Sequence, residues 1–211
     1  MEEFIKSPIG LTIIIATVLM SITLHEAMHA FAANWLGDDT AQREGRLTLN
    51  PLAHIDPFLT IGLPILMALA GGPVLGAAKP VPFNPYRVKY EEYGAALVAL
   101  AGPLTNFALA IVGAFLFRAV GSELPEVAQY GLLTFVLVNL GFFVFNMIPF
   151  PPLDGSRVLY AVAPEPLQKV MAVIEAYGLL GFVIFFFFLF QYVSPVIGDI
   201  INSLYRLLLG L

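Results

Sequence analysis

Residues Pro8 to Leu36 form an apolar run interrupted by only three ionisable side chains, and that run dictates what the chain can fold into. It exceeds the roughly 20 residues that a helix needs to cross a bilayer. No charged residue occurs from Pro8 to Leu24; then come His25-Glu26-Ala27-Met28-His29, and the apolar run resumes at Ala30. An ionisable group at bilayer depth costs about 2.5–3.5 kcal/mol to insert. A spanning helix that carries three of them predicts something that offsets the cost.

A bound metal ion is the partner that the spacing favours. At about 100° per residue, His25 and His29 lie about 40° apart on one helix face, one turn above each other. Both imidazoles can reach one zinc ion. Glu26 falls about 60° from His29, so its carboxylate can sit beside the ion and take a proton from a water. This is the H-E-x-x-H arrangement of zinc hydrolases, with the glutamate as base rather than ligand. The competing reading, an inert hydrogen-bonded pair at a helix tip, is weakened because idle ionisable groups are expensive in a membrane.

Composition agrees with a membrane location. Only 12% of the 211 residues are charged and 59% are hydrophobic, about half the charge of an ordinary soluble domain. The expectation is one integral-membrane domain over residues 1–211. The formal charge of −5 gives no reason to expect nucleic-acid binding. With no cysteine, disulfides, thiolate metal sites and thiol nucleophiles are excluded. The first apolar run is too long for a cleavable signal peptide, and it contains the candidate site.

The rest of the chain predicts an all-α polytopic membrane protein, a helical bundle of about four to six spans. After the first span (8–36), clear spans are expected at 92–118, 130–148 and 171–190. The apolar stretch 58–78 is broken by Pro64, Gly71-Gly72-Pro73 and Gly76, which predicts a kinked span or re-entrant hairpin. The tail from Ser194 reads equally as a tilted last span or an interfacial helix. Alternation at Arg46–Leu49 predicts a short membrane-associated β element, whose edge could pair with an extended substrate. In the span 92–118, Gly94, Gly102, Asn106, Ala110 and Ala114 recur at four-residue intervals, broken at Val98. That stripe predicts close helix packing.

Charge sets the expected orientation. Placing segments 37–57, 79–90 and 155–169 in the cytoplasm puts Arg43, Arg46, Lys79, Arg87, Lys89, Arg157 and Lys169 there. Lys6, Arg118 and Arg206 remain elsewhere. The site would then open toward the cytoplasmic side of a multi-pass protein of the cell membrane.

A catalytic zinc commonly has three protein ligands. Two residues compete for the third place. Asp154 lies in the proline-rich break after the span 130–148, and His54 lies in the polar segment between Asn50-Pro51 and Asp56-Pro57. Spacing leaves both open.

Four stretches together resemble the site-2 protease family of intramembrane zinc metalloproteases, in particular short prokaryotic members without a PDZ or CBS domain. They are HEAMH at 25–29, GRLTLNPLAHIDP at 45–57, AGPLTNF at 101–107 and FNMIPFPPLDGSRVL at 145–159. The resemblance implies that Asp154 is the third zinc ligand beside His25 and His29, and that Glu26 is the base. It also implies that Asn106 and Asn146 hold the substrate backbone or an oxyanion, and it leaves a role for His54 open. The implied activity is hydrolysis of peptide bonds in or near transmembrane segments of membrane proteins. Regulated intramembrane proteolysis and clearance of signal-peptide remnants are both compatible with it.

Overall fold

The computed structural model describes residues 2–57, residue 62 and residues 79–211. The break or hairpin expected at 58–78 lies, apart from Gly62, outside the described residues. Helix α1 (Glu2–Lys6) leads into α2 (Pro8–Trp35). Ser7 starts α2 by accepting a hydrogen bond from the Gly10 N–H at 2.9 Å, and Pro8 occupies a first-turn position where no N–H is needed. Leu36 and Gly37 close α2, Gly37 with a φ of 108° that favours glycine.

A polar segment follows, with the short helix α3 (Thr40–Arg43) and a 3₁₀ turn at Pro51–Ala53. The Asn50 side chain starts that turn by accepting from the Leu52 N–H at 3.1 Å. Among the described residues there is no strand, and Arg46–Leu49 is irregular, contrary to the expected β element. Arg46 and Thr48 have partners other than a neighbouring strand. The Arg46 N–H bonds back to the Ala41 carbonyl at 2.8 Å, and the Thr48 carbonyl accepts from the His54 ring.

Helix α4 (Glu91–Val120) runs back antiparallel to α2, and α5 (Glu126–Asn146) returns beside α4 after a tight turn at Gly121–Glu123. The contacts His29 with Val98 and Ser21 with Asn106 fix the first antiparallel pair. Asn106 with Asn139 and Gly113 with Phe135 fix the second. The chain then turns through Met147–Leu153 into α6 (Asp154–Val162) and α7 (Glu165–Ala176).

The fourth span begins later than hydropathy suggests. Helix α7 ends at Ala176, Gly178 takes φ 51°, and the chain continues through α8 (Leu179–Ile184) and a π turn (Phe185–Leu189) into α9 (Phe190–Leu209). The helical path then runs without a gap from Leu179 to Leu209 and contains the membrane-length stretch Phe187–Leu209, so the expected span 171–190 is broken at Gly178 and the tail belongs to the span. A left-handed glycine breaks the apolar run where composition alone shows no break. Four helical segments of the described residues are long and apolar enough to cross a membrane: Pro8–Trp35, Glu91–Glu123, Glu126–Asn146 and Phe187–Leu209.

One core cluster, Ala110, Ala114, Val136, Leu140 and Leu209, joins α4, α5 and α9. At the other end of α4, Ala33, Val88 and Val98 pack where α2 ends and α4 begins. Exposed Trp35, Tyr86, Tyr90 and Tyr93 surround that end, as aromatic side chains do at a membrane–water boundary.

Candidate metal centre and active site

His25 and His29 lie on the inner face of α2 and both are buried. They are ten and six residues before Trp35, so they sit about 15 and 9 Å inside the end of the helix. Each ring is oriented through its Nδ1. His29 Nδ1–H donates to the Val98 carbonyl at 2.7 Å. His25 Nδ1 meets Asn106 Oδ1 at 2.6 Å. The Asn106 amide nitrogen faces two oxygens, Ser21 O at 3.3 Å and Asn139 Oδ1 at 3.0 Å. Its Oδ1 must therefore accept, and His25 Nδ1 must donate. Asn139 is held in turn by donating to the Phe135 carbonyl at 2.9 Å.

With both Nδ1 atoms donating outward, each ring, when neutral, turns a bare Nε2 lone pair inward. These two nitrogens are 3.1 Å apart. Asp154, the first residue of α6, brings Oδ2 to 3.1 Å from His25 Nε2 and 3.4 Å from His29 Nε2. That oxygen is buried and has no hydrogen-bond donor. Three potential ligand atoms thus converge, and with both Nε2 atoms unprotonated they repel one another unless a cation sits among them. Ligands of a tetrahedral zinc at 2.0–2.1 Å lie about 3.3 Å from one another, and the observed separations match. His25, His29 and Asp154 could therefore hold a metal ion. As a ligand, Asp154 would bind the ion as the carboxylate.

Two glycines make this approach possible. A Cβ on Gly102 would lie 2.4 Å from His29 Nε2 and 2.7 Å from His25 Cε1. A Cβ on Gly155 would lie 2.4 Å from the Met147 carbonyl oxygen, so glycine is what lets the Asp154 turn fold back onto the end of α5. In the sequence, Gly102 reads only as one of a stripe of small residues for helix packing. Its second task, room for an imidazole pair, becomes visible once the rings are placed.

Glu26 follows His25 on α2, half-buried, and its Oε2 accepts a hydrogen bond from the Val81 N–H at 3.2 Å. The remaining sequence candidates fall elsewhere. Asn106 is fully buried with both amide N–H groups engaged, so it has no donor to offer a substrate oxyanion; its contact is with His25. Asn146 closes α5, half-buried, and donates to the Phe142 carbonyl at 3.0 Å. His54 is buried outside the His–His–Asp group, bonded through Nε2 to the Thr48 carbonyl at 2.9 Å, and its own carbonyl accepts from the Lys79 N–H. Asn139, which the sequence reading passed over, is a fully buried amide on an apolar span. That unusual placement was its available signal.

The chain is 39% identical over 194 residues to "Putative zinc metalloprotease YwhC" of Bacillus subtilis, covering 88% of this chain and 85% of that protein. It is 34% identical over 169 residues to "Putative zinc metalloprotease Rip2" of Mycolicibacterium smegmatis, covering 80% of this chain and 64% of that longer protein. A stretch of 71 residues is 45% identical to "Putative zinc metalloprotease MJ0611" of Methanocaldococcus jannaschii. No family model matches the chain. No solved structure matches it.

Proposed function

The chain belongs to the family of proteins named zinc metalloproteases that includes YwhC and Rip2, and on that premise we propose that it is an intramembrane zinc endopeptidase of the site-2 protease type. The observation that carries the reading is the convergence of His25 Nε2, His29 Nε2 and Asp154 Oδ2, with the two histidines on a membrane-length helix beside Glu26.

In this reading His25, His29 and Asp154 hold the zinc. When bound, zinc supplies a Lewis acid that makes a water acidic enough to ionise near neutral pH. Glu26 accepts the proton of the water as its oxygen adds to the scissile carbonyl carbon. It then delivers that proton to the departing nitrogen as the C–N bond breaks. Asn106 and the Val98 carbonyl keep the two rings in the required tautomer. Asn146, at the rim where α5 ends, remains the candidate for contact with the substrate backbone.

Substrates are transmembrane segments of other membrane proteins, in regulated proteolysis or in clearance of signal-peptide remnants. Their helices satisfy every backbone group internally, so a substrate unwinds locally before attack. The whole chain acts as one membrane domain. It lies in the cell membrane with the site toward the cytoplasm, an orientation supported by the seven Lys and Arg residues of segments 37–57, 79–90 and 155–169.

The test is cleavage of single-span substrates by the purified chain and by Glu26→Gln, with zinc measured in both. Zinc in both and a loss of about 100-fold or more in the variant is the expected result. Equal cleavage by the two, or no zinc in the wild type after resupply, overturns the reading.

A further inference from the structure

Glu26 has a partner that no side-chain motif announces. Residues 79–84, Lys-Pro-Val-Pro-Phe-Asn, run without helix or strand past the inner end of α2. They are tied down on both sides of Val81. The Lys79 N–H donates to the His54 carbonyl at 2.9 Å, and the Lys79 carbonyl accepts from Nη2 of buried Arg46 at 2.5 Å. The Asn84 N–H donates to Asp38 Oδ2 at 2.6 Å. Beyond it, Arg87 pairs with Asp39 at 2.8 Å and the Lys89 N–H reaches the Leu36 carbonyl at 2.9 Å.

Asp38, which makes one of these ties, is fully buried. Burial alone would raise its carboxyl, but hydrogen bonds from Thr40 and the Asn84 amide, with the nearby Arg87 charge, hold its pKa below the ordinary range. An ionised, multiply bonded anchor thus sits between α2 and this strap.

Prolines at 80 and 82 remove two donors, so Val81 carries the single N–H between Lys79 and Phe83. The following proline also holds Val81 in extended backbone. That one donor points at Glu26 Oε2, 3.2 Å away.

We propose that the backbone strap 79–84 is a positioning element, and that the Val81 amide fixes the Glu26 carboxylate for proton transfer. The inference rests on the reading of Glu26 as the base. A glutamate on a helix rotates about several bonds, and a base must be held within reach of the proton it takes. The amide secures one carboxylate oxygen and leaves the other to accept the proton. The strap is suited to this rather than to pairing with a substrate strand, because prolines remove donors from its edge.

The experiment measures kcat, KM and zinc content of the full chain on a single-span substrate for wild type, Val81→Pro, Val81→Ala and Glu26→Gln. A proline at 81 deletes the N–H and suits extended backbone between two other prolines. A hydrogen bond to a charged group corresponds to about tenfold or more in rate. The expected result is therefore a kcat lower by about tenfold in Val81→Pro, with KM little changed and zinc retained. Val81→Ala, which keeps the N–H, should stay within about threefold of wild type. An ester linkage at residue 81, introduced with the hydroxy-acid analogue of valine, deletes the same hydrogen without a ring and should match Val81→Pro. Equal kcat in the proline and alanine variants overturns the proposal. So does zinc loss in Val81→Pro, which moves the effect to the metal ligands, or a rise in its kcat/KM, which makes the strap a shield. Failure of the peptidase reading itself looks different: Glu26→Gln then cleaves like wild type.

Discussion

The two halves of α4 are built on the same pattern of small residues and do different work. Toward the Val98–Asn106 half, α4 meets α2 through polar groups: the Val98 carbonyl, the Asn106 amide, two imidazoles and Ser21. Toward the Ala110–Ala114 half, it meets α5 and α9 through Ala110, Ala114, Val136, Leu140 and Leu209, with no polar group in the cluster. In lipid, apolar side chains gain little by leaving the solvent, so the second half is held by close packing. The first half is held by directional bonds that permit one arrangement of each ring. Small residues allow close approach in both, but Gly102 makes space for imidazoles whereas Ala110 and Ala114 make space for another helix.

Substitutions that exchange the needs of the halves test this contrast. The largest effect is expected from Gly102→Ala. One methyl group at 2.4 Å from His29 Nε2 must displace both rings, so zinc binding and cleavage should fall by about 100-fold or more while the protein stays helical by circular dichroism. Retained stoichiometric zinc would show that the rings can move aside, and the contrast would lose its sharpest case. Asn106→Leu comes next. It removes the acceptor that sets the His25 tautomer, and metal titration should show affinity lower by about 10–100-fold. Leu140→Ala, in the apolar half, should leave zinc affinity near wild type and cost about 2–5 kcal/mol of stability, read as a lower midpoint in detergent unfolding. Zinc loss in that variant would mean the halves are not separable.

Much of the fold was legible because membrane insertion imposes a coarse rule: length and apolarity. Pro8–Trp35, Glu91–Glu123 and Glu126–Asn146 follow it closely. The rule misplaced the fourth span, since a left-handed turn at Gly178 leaves no trace in hydropathy. The expected β element at Arg46–Leu49 failed for a related reason. Alternation reports a possible face, but Ala41 and His54 supply the hydrogen-bond partners that a neighbouring strand would have supplied.

At the site, His25, Glu26 and His29 were readable as one helical face, since three side chains on a single helix need no tertiary information. Asp154 and His54 were equal on spacing, and the bundle separates them: Asp154 closes on the two nitrogens while His54 is bonded to Thr48. The amide of Asn106 showed in the sequence as an anomaly on an apolar stripe, without revealing which way it faces. The Val81 contact had no signal there, because its donor is a backbone N–H carried by every residue except proline.

The amino-acid sequence by itself determined that the chain forms membrane-length helices and that one of them carries two histidines and a glutamate on one side, because both follow from local periodicity. Only the tertiary structure decided which distant carboxylate meets the two imidazoles, which glycine makes room for them and which amide bonds to Glu26. Those are distances between segments up to 129 positions apart in the chain, as between His25 and Asp154 (154 − 25), and no local pattern encodes them.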